Sequence, residues 1–198
     1  MANKVAIAVL AALCCSLSYG AELPLWQIDE QRSSLEFVAE QAGAKFRGRI
    51  ARFDAQVRFD SDRLAESRAE VAIDMRTATT YESERDGIMQ GAGWFETAAF
   101  PHARFEAAQF VRTGNGFTAR GQLVVRGVAH PVAFDFTVEA AGEAQRLEGR
   151  ALLDRVALGL GLGEWADPAW IGTDVAVEVV LMTAPAASIA TEPDAGVP

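Results

Sequence analysis

Phe117-Thr118-Ala119-Arg120-Gly121-Gln122-Leu123-Val124-Val125-Arg126 is followed, after a break at Gly127 to Pro131, by Val132-Ala133-Phe134-Asp135-Phe136-Thr137-Val138-Glu139. In both runs apolar or small residues take every second position, and mostly polar residues stand between them. A period of two places the apolar set on one side of an extended chain, the mark of a strand with one face on a core. Strands of this kind form antiparallel sheets whose other face meets water.

The same alternation extends in both directions from this pair. Leu35, Phe37 and Ala39 share a face, as do Phe46, Gly48 and Ile50, and then Phe53, Ala55, Val57 and Phe59. Val71, Ile73 and Met75 continue the pattern, with Phe105 and Ala107 after them. Leu147, Gly149, Ala151 and Leu153 precede a closing run of Val175, Val177, Val179 and Leu181. The phase slips between Ile50 and Phe53, which predicts a bulge. Turn-forming clusters at Gly43, Asp60 to Asp62, Gly114 to Gly116 and Ala140 to Glu143 separate about eight or nine strands. Thr79 to Phe95 departs from the pattern. Thr79 as a cap and Glu82 and Glu84 in a first turn predict one short helix at about 82–90.

The inward set mixes small residues with large ones. Ala39, Gly48, Ala55, Ala107, Ala119, Gly121, Gly149 and Ala151 stand against Phe37, Phe46, Phe59, Phe105, Phe134 and Phe136. The pattern alone leaves two arrangements open. The strands close as a barrel or pack as a sandwich, and the phenylalanines either fill the space beside the small residues or leave a channel.

The chain has 198 residues and a formal net charge of −9. One domain fits this length, and the acidic balance argues against a nucleic-acid partner. Lys4, the apolar run Val5 to Leu13 and the small residues Ser18 and Gly20 have the layout of a secretory signal peptide over 1–20. Cleavage after Gly20 removes Cys14 and Cys15, leaving no thiol for a disulfide or metal. Residues 21–25 read as a lead-in, 26–183 as the folded domain, and 184–198, rich in Ala and Pro, as a disordered tail.

Catalytic signals are absent from the pattern. His102 and His130 stand beside Pro101 and Pro131, without the spacing of a nucleophile relay or a metal motif. Gly159, Gly161 and Gly163 lack the spacing of a dinucleotide loop. They read as a rim loop beside Trp165 and Trp170, whose rings gate a pocket, meet a membrane interface or simply pack over the barrel end. Lys45, Arg47, Arg49, Arg52, Arg58 and Arg63 form a basic run that reads as a solvated outer face, with an anionic lipid surface as the alternative.

The order of these motifs resembles the YceI-like family. Gly121-Gln122-Leu123-Val124-Val125-Arg126-Gly127-Val128 with Pro131-Val132 is similar to its most specific segment. Trp26 to Asp29 with Ser34 to Phe37, Phe46 to Gly48 with Val57 to Asp60, Arg85-Asp86 with Trp94-Phe95, and Phe100 to Phe105 follow the family's order, as do Asp154-Arg155 and Gly172 to Val175. The chain departs from the family where Arg32-Ser33 and Gln41 stand in place of histidines, so no role of those histidines carries over.

The resemblance implies an all-β fold, an eight-stranded antiparallel up-and-down lipocalin-like barrel with one short helix after the third or fourth strand. It implies a periplasmic, non-catalytic carrier of a polyisoprenoid or isoprenoid quinone, with no cofactor beyond that ligand. The lining residues expected are Phe37, Phe46, Phe59, Ile73, Phe105, Leu123, Phe134 and Phe136, with Trp94, Trp165 and Trp170 at one end and Arg155 at a polar head group. Gly163-Glu164-Trp165 resembles a subgroup associated with inner-membrane b-type cytochromes, so docking on such a cytochrome or on the membrane surface is the alternative function. Whether the chain pairs as a homodimer is left open.

Overall fold

The computed structural model describes residues 22–183. The expected signal peptide and tail therefore lie outside the described residues. Ten strands follow in order: β1 Ser34–Gln41, β2 Ala44–Ile50, β3 Phe53–Arg58, β4 Arg68–Asp74, β5 Ala78–Thr79, β6 His102–Thr113, β7 Gly116–Val125, β8 Val128–Ala141, β9 Ala144–Asp154 and β10 Asp174–Met182. One helix, α1, spans Ser83–Gln90.

All ten strands belong to one antiparallel sheet, in the order β3-β4-β6-β7-β8-β9-β10-β1-β2-β5. The count of eight strands and the full closure expected of a barrel both need correction. The sheet is curled, and β3 and β5 are its two edges. The lead-in chain joins across this geometry. The Trp26 N–H donates to the Val57 carbonyl on the β3 edge (2.8 Å), and the Asp29 N–H donates to Met182 on β10 (2.8 Å). An edge whose N–H and C=O groups are bound in this way is protected from pairing with other chains.

The alternation assigned the faces correctly. Leu35, Val57, Ala107, Ala119, Phe136, Leu147, Ala151 and Leu181 are buried on the inner side. The phase slip at Ile50 has a different cause from the one expected. β2 and β3 do not pair: Ile50 lies opposite Ala78 and Phe53 opposite Ile73. The chain leaves β2, which lies next to the β5 edge, at Ala51-Arg52 and enters the opposite edge as β3, so no bulge is needed there. The bulge lies instead between Ala107 and Gln109 of β6, where the register against β7 shifts. It returns Phe110 to the buried side. The β7–β8 connection is a two-residue turn in which Arg126 (φ 49°) and Gly127 (φ 76°) are both left-handed. This is the turn whose twist suits a hairpin, and glycine takes it without strain.

The helix forms where its acidic start predicts, but its cap is Glu82. That carboxylate accepts from the N–H groups of Glu84 and Arg85. Thr79 does not cap it; its hydroxyl donates to Asp86 Oδ2 at 2.6 Å. The helix follows β5, a two-residue strand that the sequence pattern does not reveal.

Two of the small inward residues are seats for phenylalanine rings. A Cβ built at Gly48 lies 2.2 Å from Phe37 Cζ, and one at Gly149 lies 2.4 Å from Phe134 Cζ. Gly149→Ala forces the Phe134 ring off its seat and is expected to cost about 1–3 kcal/mol. Gly87→Ala, in α1 with open space around the new methyl, is expected to stabilise by about 0.4–1 kcal/mol. Urea unfolding of the two variants checks the opposite signs.

Candidate functional site: a two-chamber apolar interior

The inner face of the curled sheet encloses two cavities. The larger, about 520 Å³, lies under α1 and the chain between β9 and β10. Phe37, Phe46, Ile73, Trp94, Leu123, Arg155, Trp165 and Trp170 line it, so eight of the twelve expected site residues meet there. The smaller, about 120 Å³, is bounded entirely by apolar side chains, with Phe59, Phe105, Phe134 and Phe136 among them. Leu35, Ile73, Leu123, Leu153 and Val177 line both cavities and form a waist between them. A still larger groove of about 960 Å³ is open and of mixed lining, with Arg58, Arg68, Glu70 and Arg120 beside Leu25, Ala108 and Pro131.

The far end of the small chamber is closed by rings. Phe59 packs on Trp26, Phe110, Phe117 and Phe136 at centroid distances of 6.0, 5.9, 4.9 and 5.3 Å. The Trp26, Phe117 and Phe136 pairs are edge-to-face and the Phe110 pair is tilted, and such ring contacts add to the burial they accompany. Phe59 and Phe136 therefore belong to a plug as much as to a lining.

The other end is built by the loop from Val156 to Thr173, which carries no strand. Arg155 organises it. This side chain is 2% exposed. Its Nε donates to Gly172 O (3.0 Å), Nη1 to Leu160 O and Gly161 O (3.0 and 2.6 Å), and Nη2 to Trp165 O and Ile171 O (2.7 and 2.8 Å). All five of its N–H groups are thus used on backbone carbonyls. The guanidinium also lies over the Trp94 ring at 5.5 Å, and Trp94 meets Trp165 edge-on at 6.3 Å. Burial pushes the Arg155 pKa down, with Asp154 opposing it. The expectation that Arg155 meets a polar head group is corrected: its donors are already committed, and it holds the rim that carries Trp165 and Trp170.

Other ties fix this end. Arg126 donates to Gly159 O (3.3 Å) and to Glu96 (3.4 Å), linking the β7–β8 turn to the loop. The Gly161 N–H donates to Gly93 O at 2.8 Å. Asp86 of α1 accepts from the Thr79 hydroxyl and from the N–H and hydroxyl of Thr80 at 2.6, 2.6 and 2.7 Å. Burial raises the Asp86 pKa, but the hydrogen bonds from Thr79 and Thr80 outweigh it and hold the carboxyl below its ordinary value.

The basic run does not form a free cationic face. Arg47 pairs with Glu36 (3.1 Å) and Glu178 (2.7 Å), Arg52 with Asp74 (3.0 Å), Arg58 with Glu22 (3.4 Å) and Arg63 with Glu66. Neither His102 nor His130 lines either cavity. Among the described residues no group of three or more His, Cys, Asp or Glu side chains is placed to hold a metal. What the site offers is apolar surface with few polar groups, the composition of a ligand pocket.

Several lining residues escape sequence reasoning. Leu158, Leu160 and Ile171 sit in the irregular loop, where no period marks them, and Met89 and Arg85 come from α1. Arg85 had one available signal, as the single basic residue of a short acidic helix.

Comparison with known proteins agrees with this geometry. The YceI-like domain family matches residues 26–183. A UPF0312 protein of Yersinia pestis (strain Pestoides F) is 28% identical over 120 residues, 59% of this chain and 62% of that protein. The chain thus spans about 62% of the length of that relative. A UPF0312 protein of Vibrio cholerae is 26% identical over 71% of this chain and 77% of that protein. Among solved structures, BcnA of Burkholderia cenocepacia superposes with TM-score 0.76 and 26% identity, covering 80% of this chain and all of that one. A polyisoprenoid binding domain from Saccharophagus degradans gives TM-score 0.61 at 20% identity, over 81% and 98% of the two chains.

Arg155→Lys keeps the charge but replaces five fixed donors by three. It is expected to lower stability by about 3 kcal/mol or more through the carbonyls left unpaired. Limited proteolysis is expected to cut first between 156 and 173, ahead of the strands.

Proposed function

The chain belongs to the YceI-like family, and from that premise we propose that it is a non-catalytic carrier for an exported setting, holding the tail of an isoprenoid lipid or quinone inside the curled sheet. The observation that carries this reading is the pair of apolar chambers joined at the Leu35–Ile73–Leu123–Leu153–Val177 waist. A ligand head sits in the larger chamber under the rim, and the tail runs through the waist toward the Phe59 plug. Each Å² of tail surface removed from water contributes about 25 cal/mol, so a long tail binds without many polar contacts. The likeness in fold to the polyisoprenoid binding domain from Saccharophagus degradans supports the ligand class. The signal-peptide pattern of residues 1–20 supports a periplasmic location.

The test is native mass spectrometry with lipid extraction of the exported protein. A co-purifying isoprenoid is expected, and an empty protein that also takes up none in vitro would refute the carrier. Leu123→Trp, which fills the waist, is expected to lower affinity for long-tailed isoprenoids by about tenfold or more while short-tailed ones still bind.

A second reading, docking on a membrane or on a membrane cytochrome, is favoured by a different observation. Ile88 and Trp170 line the large chamber and are 36% and 50% exposed, and Leu162, also 50% exposed, lies on the same rim loop. Aromatic and aliphatic side chains in such a rim suit the boundary of a bilayer. Replacement of Ile88, Leu162 and Trp170 by Ser is expected to abolish co-flotation with neutral vesicles without altering uptake of detergent-solubilised lipid. Unchanged flotation removes the membrane reading.

A further inference from the structure

Two N–H donors in the large chamber have no acceptor. The Nε of Arg85 and the Nε1 of Trp94 are buried, both residues line the chamber, and neither atom has a hydrogen-bond partner among the described residues. A donor in this position costs free energy unless something accepts from it. Arg155 differs in this respect. That guanidinium has every N–H satisfied, whereas the Arg85 guanidinium lies over the Phe46 ring with its Cζ 4.1 Å from the centroid. No salt bridge to Arg85 forms among the described residues.

The charge around Arg85 restricts what it accepts. Glu82, Glu84 and Asp86 stand on the same short segment, and Glu82 and Glu84 also line the chamber. Asp86 is held by Thr79 and Thr80, and Glu82 by the first turn of the helix. Glu36, Glu82 and Glu84 line the chamber against the two cations Arg85 and Arg155, so its lining carries more negative than positive charge, and the guanidinium of Arg155 is already spent on five carbonyls. A phosphate or pyrophosphate brought there meets more like charge than opposite charge, and like charges at close range are costly in a partly desolvated site. An uncharged oxygen acceptor meets no such penalty and still satisfies the N–H groups.

We infer that Arg85 and Trp94 are the head-group donors of this chamber, and that they select an uncharged head bearing carbonyl or hydroxyl oxygens over a phosphorylated one. The inference rests on the carrier reading and sharpens it to a class of ligand. Phe46 holds the guanidinium plane in place and offers a flat apolar surface beside it.

The experiment compares three probes of equal tail length on the purified full chain: an isoprenoid quinone, a polyprenyl phosphate and the bare polyprenyl hydrocarbon. The quinone is expected to bind at least about tenfold more tightly than either of the others, the difference of one satisfied hydrogen bond. Arg85→Met keeps the stem and removes the donors. It is expected to erase the preference for the quinone, so that quinone and hydrocarbon bind alike to the variant. Trp94→Phe, a conservative change should Arg85→Met fold poorly, is expected to reduce the preference in the same selective way. Tighter binding of the phosphate, or a quinone preference that survives both substitutions, overturns the inference. If the hydrocarbon binds and the quinone binds no better, the head-group inference fails while the carrier stands. If none of the three binds, the carrier reading itself fails and takes the inference with it.

Discussion

The chain between β9 and β10 touches the sheet at one bridge, Ile171 against Gln41 of β1, and its shape rests on the buried guanidinium of Arg155. Removing a charge from water is expensive unless every donor is matched. Here the match comes from five carbonyls spread between Leu160 and Gly172, which a structureless loop would otherwise turn to solvent. The arginine and the loop therefore satisfy one another. The consequence for function is a rim with fixed geometry, with Trp165 against Trp94 and Trp170 at the surface, over a cavity bounded elsewhere by strands and by α1.

The body of the molecule follows from a simpler rule. Strands whose apolar side chains alternate must cover one face, and a long antiparallel sheet does so by curling upon itself. Ring size then decides where space remains. Phe37 and Phe134 settle over Gly48 and Gly149, which brings the rings close to the sheet, and Phe59 collects four other rings into a plug. Between these packed regions the interior stays open in two chambers. The interdigitation of large and small residues and the existence of a channel are thus not rival outcomes. Each occurs in its own part of the same interior.

Electrostatics separates the outside from the rim. Across β1, β2 and β10 Arg47 meets Glu36 and Glu178, and Arg52, Arg58 and Arg63 pair with Asp74, Glu22 and Glu66, so much of the basic run is spent on local pairing. Exposed pairs of this kind add little stability, but they remove the cationic face that attraction to anionic lipid requires. Apolar side chains take its place at the rim. Four buried side-chain nitrogens have no partner among the described residues, on Arg85, Trp94, Arg126 and His130, and those of Arg85 and Trp94 belong to residues that line the large chamber.

The amino-acid sequence determined the long strands, the face their residues show, the helix near residues 82–90 and the family, because period-two alternation and turn residues act locally, but not the two-residue β5, which is too short to show a period. It also placed eight of the expected site residues in one chamber, since inward residues of a curled sheet must converge. Three matters were decided only in three dimensions. The slip after Ile50 marks a change of sheet edge rather than a bulge, because pairing partners lie far apart in sequence. The five-fold hydrogen bonding of Arg155 is set by loop carbonyls, and backbone carbonyls carry no sequence signature. The two chambers and their waist depend on how rings seat against glycines across strands, a matter of shape that alternation does not encode.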